Sequence, residues 1–430
     1  MKFASKLVTF DSCPGDSYRP TATPIYQTAT FAQEQADSFG EYDYSRSGNP
    51  TRTVLETQLA LLENGTRAFC FASGMAAIAA VMRLLRPGDE VVAGNDLYGG
   101  TCRLLSKILN RSGISVRYLD PYNIDRFAES LAPTTRLIFM ESPTNPLFQV
   151  VDLRALAEVA HARGALLCVD NSSMSPYLQN PLDLGADIVV HSATKYLSGH
   201  SDVMAGVVVV KDLGLAEEAY FVQNAEGAAL GPFDSYLVLR GLKTLKIRMD
   251  CQQQNALAVA RFLANQPKVT NVYYPGLPEA HGFHLHHRQA RGAGAVLSFT
   301  TGSFEFSRDL VEAVRIFRIC VSFGSVHSSI SLPGCMSHAS IPAEVRGSVH
   351  VPSDTVRLSV GIEDSEDLIS DLDEAFRFAT TKSVPGAVSQ EQLRPDSQGT
   401  RQTRQGRESR KGCELRSSRI GLRRHVFDIH

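Results

Sequence analysis

No apolar run in this sequence reaches the length of a membrane span, no two cysteines stand as CxxC, and no GxGxxG follows the first strand-like segment. A membrane-crossing helix takes about 20 consecutive apolar residues, so no membrane partner is expected. The eight cysteines (13, 70, 102, 168, 251, 320, 335 and 413) show no paired spacing. Cys70 and Cys168 fall inside apolar strands and read as buried free thiols in a reducing compartment. The missing glycine pattern disfavours a dinucleotide fold. Charge of one sign is also scarce: the 430 residues sum to −2, with −7 on residues 1–382 and +5 on 383–430. A mildly acidic body gives no support to nucleic-acid binding. With 43% hydrophobic residues the chain is long enough to bury one large core or two.

What the sequence does carry is organised around Asp187 to Gly206, DIVVHSATKYLSGHSDVMAG. The run Ile188-Val189-Val190 reads as a buried strand. Small hydroxyl residues follow at Ser192 and Thr194, then Lys195, then Ser198, Gly199 and Ser201. A lysine just past a buried strand is costly to desolvate unless it is neutralised, paired or used chemically. One use is an amine of lowered pKa that condenses with an aldehyde, and the hydroxyls beside it suit a phosphate on the same cofactor. By itself, S-x-T-K is better read as a surface lysine after a strand. A second stretch changes the balance: ALLCVDNSS (165–173), another buried-looking strand, ends in Asp170. Alone, Asp170 reads as a cap or turn residue. Together the two meet the needs of pyridoxal 5'-phosphate. Lysine takes the aldehyde, and the acid keeps the ring nitrogen protonated so that the ring withdraws electrons.

From 51 to about 249 helical and strand-like segments alternate. TRTVLETQLALLEN (51–64) is amphipathic, RAFCFA (67–72) is a strand, and Ser73-Gly74 opens the helix MAAIAAVMRLL, which Pro87-Gly88 ends. VVAG, ISVRYL, LIFMES, ALLCVD, DIVVHS and AGVVVV are further strands. The alternation predicts an α/β fold, a largely parallel sheet covered by helices on both faces. Free N–H groups at the Gly74-Met75 helix start suit a phosphate, although the same turn serves many plain strand-to-helix connections. Segments 294–300, 317–323 and 355–360 alternate like strands, which predicts a smaller α/β domain over about 250–382. HGFHLHH (281–287) holds four histidines but no Cys or carboxylate; it reads as a surface feature, and no metal site is assigned. Residues 1–50, interrupted by Pro20, Pro24 and Gly40, read as an arm. The tail 383–430, rich in Arg, Ser, Gln and Gly, is expected to be disordered.

Seven segments in order resemble one family. They are YDYSRSGNPTR (42–52), FASGMAA (71–77), NDLYGGT (95–101), ESPTNP (141–146), VDNS (169–172), HSATKYLSGHSDVMAG (191–206) and VRLSVGIED (356–364). The family is the cystathionine γ-synthase-like group of pyridoxal-phosphate enzymes of cysteine and methionine metabolism, and the resemblance runs from about Pro20 to Thr380. It implies a large pyridoxal-phosphate domain of aspartate-aminotransferase type over 51–249, followed by a C-terminal domain over 250–382. It implies that Lys195 carries the cofactor, Asp170 faces its ring nitrogen and Tyr98 stacks on the ring. Asn145 would hydrogen-bond the ring hydroxyl oxygen, with Gly74, Met75, Ser192 and Thr194 around the phosphate. Arg357 would clamp the substrate α-carboxylate, with Ser322 close to it and to the lysine. Tyr44 and Arg46 match a pair that reaches a neighbouring subunit's phosphate site, so a homo-oligomer, a dimer of dimers, is implied. Tyr98 or the neighbouring subunit's Tyr44 is implied as an aid to proton transfer.

Within the family, QNAEG and GPFDSYLVLRGLKT (223–244), VSFGSVHSSIS (321–331) and MSHASIPAEVR (336–346) are similar to the plant β-lyases. That implies cleavage of the Cβ–S bond of L-cystathionine to homocysteine, pyruvate and ammonia, in methionine biosynthesis. Two departures stand out. Many γ-acting relatives carry a Glu in a GGxES pattern where this chain has Gly324-Ser325-Val326-His327-Ser328, and GSVHVPSD (347–354) fits the family poorly. A γ-synthase, γ-lyase or sulfhydrylase on the same scaffold is the rival reading. A catalytically silent binding homologue acting through the basic tail is the rival of another class, and Lys195, Asp170 and Arg357 argue against it. The first residues, MKFASKLVTFDSCPGD, have no secretory layout. Plant relatives imply a plastid; the chain as it stands, if complete, implies the cytosol.

Overall fold

Two runs of β-branched residues lie at the heart of the molecule. In β6 (Ile188–Ser192) every residue but the last is buried, and in β7 (Gly206–Val210) all five are. Such strands need cover on both faces. Phe69, Phe71, Ile188, Val190, Val208 and Val210 pack into one apolar cluster, and Cys70, Val189, Val207 and Val209 into another. The alternation is that of a strand's two faces, and helices close both. The computed structural model describes residues 1–10, 16–336 and 351–382, all of them within one compact unit, Met1–Pro385. The expectations for Cys13, Cys413, the segment 337–350 and the tail 383–430 fall outside the described residues.

The seven-stranded sheet adds β1 (Arg67–Phe71), β2 (Glu90–Gly94), β3 (Ser115–Leu119), β4 (Thr135–Glu141) and β5 (Leu166–Asp170), in the order β1-β7-β6-β5-β4-β2-β3. All neighbours are parallel except β7, which runs antiparallel to both β1 and β6. The fold is therefore α/β with a mostly parallel sheet, as the alternation predicts. Because β4, β5 and β6 are parallel, Glu141, Asp170 and Ser192 end their strands on one edge, where ligands of such sheets bind.

A second sheet of five strands has the order β10-β11-β12-β9-β8. Its strands are β8 (Asn271–Tyr273), β9 (Val296–Thr300), β10 (Arg318–Ile319), β11 (Ser329–Ser331) and β12 (Val356–Ser359). The helix Ser365–Lys382 packs on it through Phe376, whose ring lies 6.1 Å from those of Phe299 and Phe306. The strand expected over 317–323 lasts only two residues. Beyond Cys320 the chain turns from the sheet, and Ser322 takes a φ of 91°, a region that costs a non-glycine residue about 1–3 kcal/mol. The strand is lost because Ser322 is drawn into the site described below.

Cys70 and Cys168 are buried free thiols. The histidine-rich segment forms the helix Phe283–Gln289, and one of its histidines departs from the surface reading. His286 is buried with its Nε2 against Gly292 O at 2.8 Å, and burial pushes its pKa down to about 4. Helical spacing turns that one position inward while His281, His284 and His287 stay exposed. The first residues pack on their own chain: Leu7 is buried and Lys6 O accepts from Gln58 Nε2 at 2.5 Å. No helix among the described residues is long and apolar enough to cross a membrane.

Candidate active site

Local sequence explains how each side chain reaches the strand edge. Ser73 caps the helix Gly74–Met82, its Oγ accepting from Ala76 N at 3.1 Å. Two glycines let this helix start press against the sheet. A Cβ on Gly206 would lie 2.1 Å from Ser73 O, and one on Gly74 would lie 2.8 Å from the Ser192 Cβ. The helix N–H groups and the Ser192 hydroxyl are thus held beside each other, a setting for phosphate. Thr194 Oγ1 accepts from Ala205 N at 3.0 Å and fixes the turn that carries Lys195.

A cavity of about 420 Å³ opens here, lined by Gly74, Met75, Tyr98, Asn145, Asp170, Ser192, Thr194, Lys195, Ser322 and Arg357. Ten of the twelve sequence-selected residues are thereby brought together. Tyr44 and Arg46 are not among them; both are exposed, with the guanidinium 5.0 Å from the Tyr44 ring and its Nε donating to Asn224 Oδ1 at 3.2 Å. A larger open cleft of about 880 Å³, lined in part by Arg261, Tyr273, Glu279 and His281, holds none of the twelve. Size does not decide; convergent polar chemistry does.

Lys195 Nζ donates to Ser322 Oγ at 2.5 Å and lies 5.1 Å from the Phe323 ring. Burial, then the Arg357 charge, lowers its pKa to about 8, against the attraction of Asp170. Moving it from 10.5 reflects roughly 3 kcal/mol disfavouring the ammonium. Asp170 accepts from Ser172 N at 2.9 Å. Burial raises its pKa above the ordinary aspartate value, and Ser172, His191 and Lys195 offset that only in part. Arg357, on β12, is 3% exposed. Its Nη1 donates to Asn145 Oδ1 and its Nη2 to Ser322 O, each at 3.0 Å. Burial lowers its pKa to about 10, and no carboxylate of the described residues pairs with it. A buried guanidinium with no carboxylate partner among the described residues suits a substrate carboxylate.

Sequence reasoning missed Glu141, Ser172, Phe323 and Arg103, which also line the cavity. Glu141 had a usable signal, since it ends the apolar strand LIFME just as Asp170 ends LLCVD. Ser172 orders the edge by accepting from Ser192 N at 2.6 Å.

The residues present fit pyridoxal 5'-phosphate. The glycine cradle beside Ser192 suits its phosphate, the shielded amine its aldehyde, and the buried carboxylate its ring nitrogen.

Comparison with known proteins agrees. A family model described as "Cys/Met metabolism PLP-dependent enzyme" matches residues 4–377. Chloroplastic cystathionine β-lyases are similar: that of Arabidopsis thaliana is 56% identical over 84% of this chain and 78% of its own length. That of Mimosa pudica is 54% identical over 84% and 79%. Among solved structures, a cystathionine γ-lyase from Lactobacillus plantarum complexed with L-serine superposes with a TM-score of 0.86 at 40% identity, covering 88% of this chain and 100% of that one. The chain belongs to the Cys/Met metabolism family of pyridoxal-phosphate-dependent enzymes.

Proposed function

We propose that the chain is a carbon–sulfur lyase that cleaves the Cβ–S bond of L-cystathionine and, with uptake of one water, gives homocysteine, pyruvate and ammonia, in methionine biosynthesis. The observation that carries it is the placing of a buried Arg357, with no carboxylate partner among the described residues, and a shielded Lys195 amine on one cavity. That pair suits an α-amino acid: carboxylate on the guanidinium, Cα–H near the amine. Identity of 56% and 54% to named β-lyases supports the β-side of the choice.

When bound, pyridoxal 5'-phosphate supplies an electron sink for the pair left on Cα. The chain's own residues do the rest. Arg357 holds the α-carboxylate and so points the Cα proton at Lys195 Nζ, which takes it as general base. Ser322 Oγ, 2.5 Å from that nitrogen, keeps the amine aimed. Asp170 would serve the cofactor's ring nitrogen, and Tyr98 would pack against its ring. Gly74, Met75, Ser192 and Thr194 would hold the phosphate, and Asn145, bonded to Arg357, would link the cofactor and carboxylate sites. The leaving thiolate is protonated by Lys195, or by the hydroxyl of Tyr98 or of the Tyr44 that a second copy supplies.

Tyr44 and Arg46, exposed and outside their own chain's cavity, serve the phosphate of a second copy, so the working enzyme is a homo-oligomer, a dimer of dimers. Residues 1–50 act as the arm that carries them, 51–249 as the cofactor domain and 250–382 as the domain that brings Arg357. The plastid is the proposed compartment, on the likeness to chloroplastic relatives.

The γ-cleaving reading rests on the shared scaffold of the γ-lyase structure. Here the acid of many γ-acting relatives is replaced by His327, whose Nδ1 meets Ser325 Oγ at 3.1 Å. Product analysis with cystathionine separates the two. Pyruvate with homocysteine is expected; 2-oxobutyrate with cysteine would assign γ-cleavage.

A further inference from the structure

Glu141 has no role in the scheme above, yet it forms part of the cavity wall. It ends β4, and the β4–β5 register sets it beside Asp170, so that two carboxyls on neighbouring parallel strands share one face. Glu141 is 6% exposed, and its Oε1 accepts the Tyr98 N–H at 2.9 Å. That bond fixes the backbone at the start of the helix Gly99–Arg103, from which the Tyr98 ring projects.

Two adjacent buried carboxyls do not both ionise readily. Asp170 has Ser172 N–H, His191 and Lys195 to support a charge. Glu141 meets burial, then Asp170 and Asp96, against which the Tyr98 N–H works, and its pKa stands well above the usual carboxylate range. Cys102 and Cys168, also beside the pair, are neutral thiols held so by burial.

We propose that Glu141 is a positioning residue: through the Tyr98 N–H it sets where the aromatic ring stands, and by holding a proton it leaves Asp170 the one charged carboxyl opposite the cofactor ring nitrogen. The inference rests on the role given to Asp170 above.

The test uses holoenzyme with Glu141→Gln, which keeps a neutral acceptor for Tyr98, and Glu141→Ala, which removes it. Glu141→Gln is expected to keep its cofactor through dialysis and to hold kcat and KM near wild type. Glu141→Ala is expected to raise KM about tenfold with a smaller change in kcat, the size of one net hydrogen bond, and to release cofactor faster. An infrared difference spectrum, wild type minus Glu141→Gln at neutral pH, is expected to contain a protonated carboxyl band. A carboxylate band in its place, or a glutamine variant as impaired as the alanine one, overturns the proposal. Should Glu141→Ala fail to fold, the infrared band and the glutamine variant decide alone. A failure of Asp170's own role shows in a different signal, α-proton exchange by Asp170→Ala.

Discussion

Lys195 shows how burial sets the chemistry of a single residue. Its pKa of about 8 means that the neutral, nucleophilic amine grows as pH rises through 8 and is nearly complete above it. The rate of covalent cofactor capture by the apoprotein is therefore expected to rise with pH and level off above about 8. A rate still climbing towards 10.5 would show an ordinary lysine. The linked effect on stability has the same sign. Between about 8 and 10.5 the unfolded lysine binds the proton that the folded one has lost, so this group makes the apoprotein more stable as pH rises across that window. Asp170 is the second test at this scale. Breaking a buried ion pair costs about 3–5 kcal/mol, so Asp170→Ala is expected to lose cofactor on dialysis and to exchange the substrate α-proton far more slowly. Wild-type exchange would free the ring nitrogen from this residue.

Among the elements, the helix Gly74–Met82 makes the most exposed claim. Gly74→Ala raises helix propensity but sets a Cβ 2.8 Å from Ser192 Cβ and 3.0 Å from its Cα. Helix start and strand end must part, and cofactor affinity is expected to fall about tenfold, or ~1.4 kcal/mol, with the far-ultraviolet circular dichroism unchanged. Wild-type affinity would detach this helix start from the phosphate. The strands β1, β2, β4, β5, β6 and β7 were legible because buried β-branched and apolar runs bounded by turn residues have few other fates. The two short strands β10 and β11 were harder. A strand of two or three residues leaves almost no period, and the 317–323 pattern is cut by Ser322, whose conformation answers to Lys195 and Arg357 rather than to its neighbours in sequence. Glu141 shows in the sequence as a strand-end acid, but its pairing with Asp170 does not, because register is not written in either strand alone. The closeness of Asn145 and Arg357 joins residues 212 positions apart, and only the family resemblance anticipated it.

Taken whole, the chain places ten site residues on one cavity and leaves Tyr44 and Arg46 outside it. Subunit mixing tests the sharing this implies. A Tyr44→Phe/Arg46→Ala chain and a Lys195→Ala chain, each inactive alone, are expected to regain activity when combined, because one site of the hybrid has neither defect. No recovery after verified subunit exchange would return the pair to their own chain's site. The central claim is that the chemistry converges on the Lys195 amine. Borohydride reduction of the holoenzyme followed by peptide mapping tests it most directly. The pyridoxyl group is expected on the peptide containing Lys195; recovery on any other lysine would contradict the assignment.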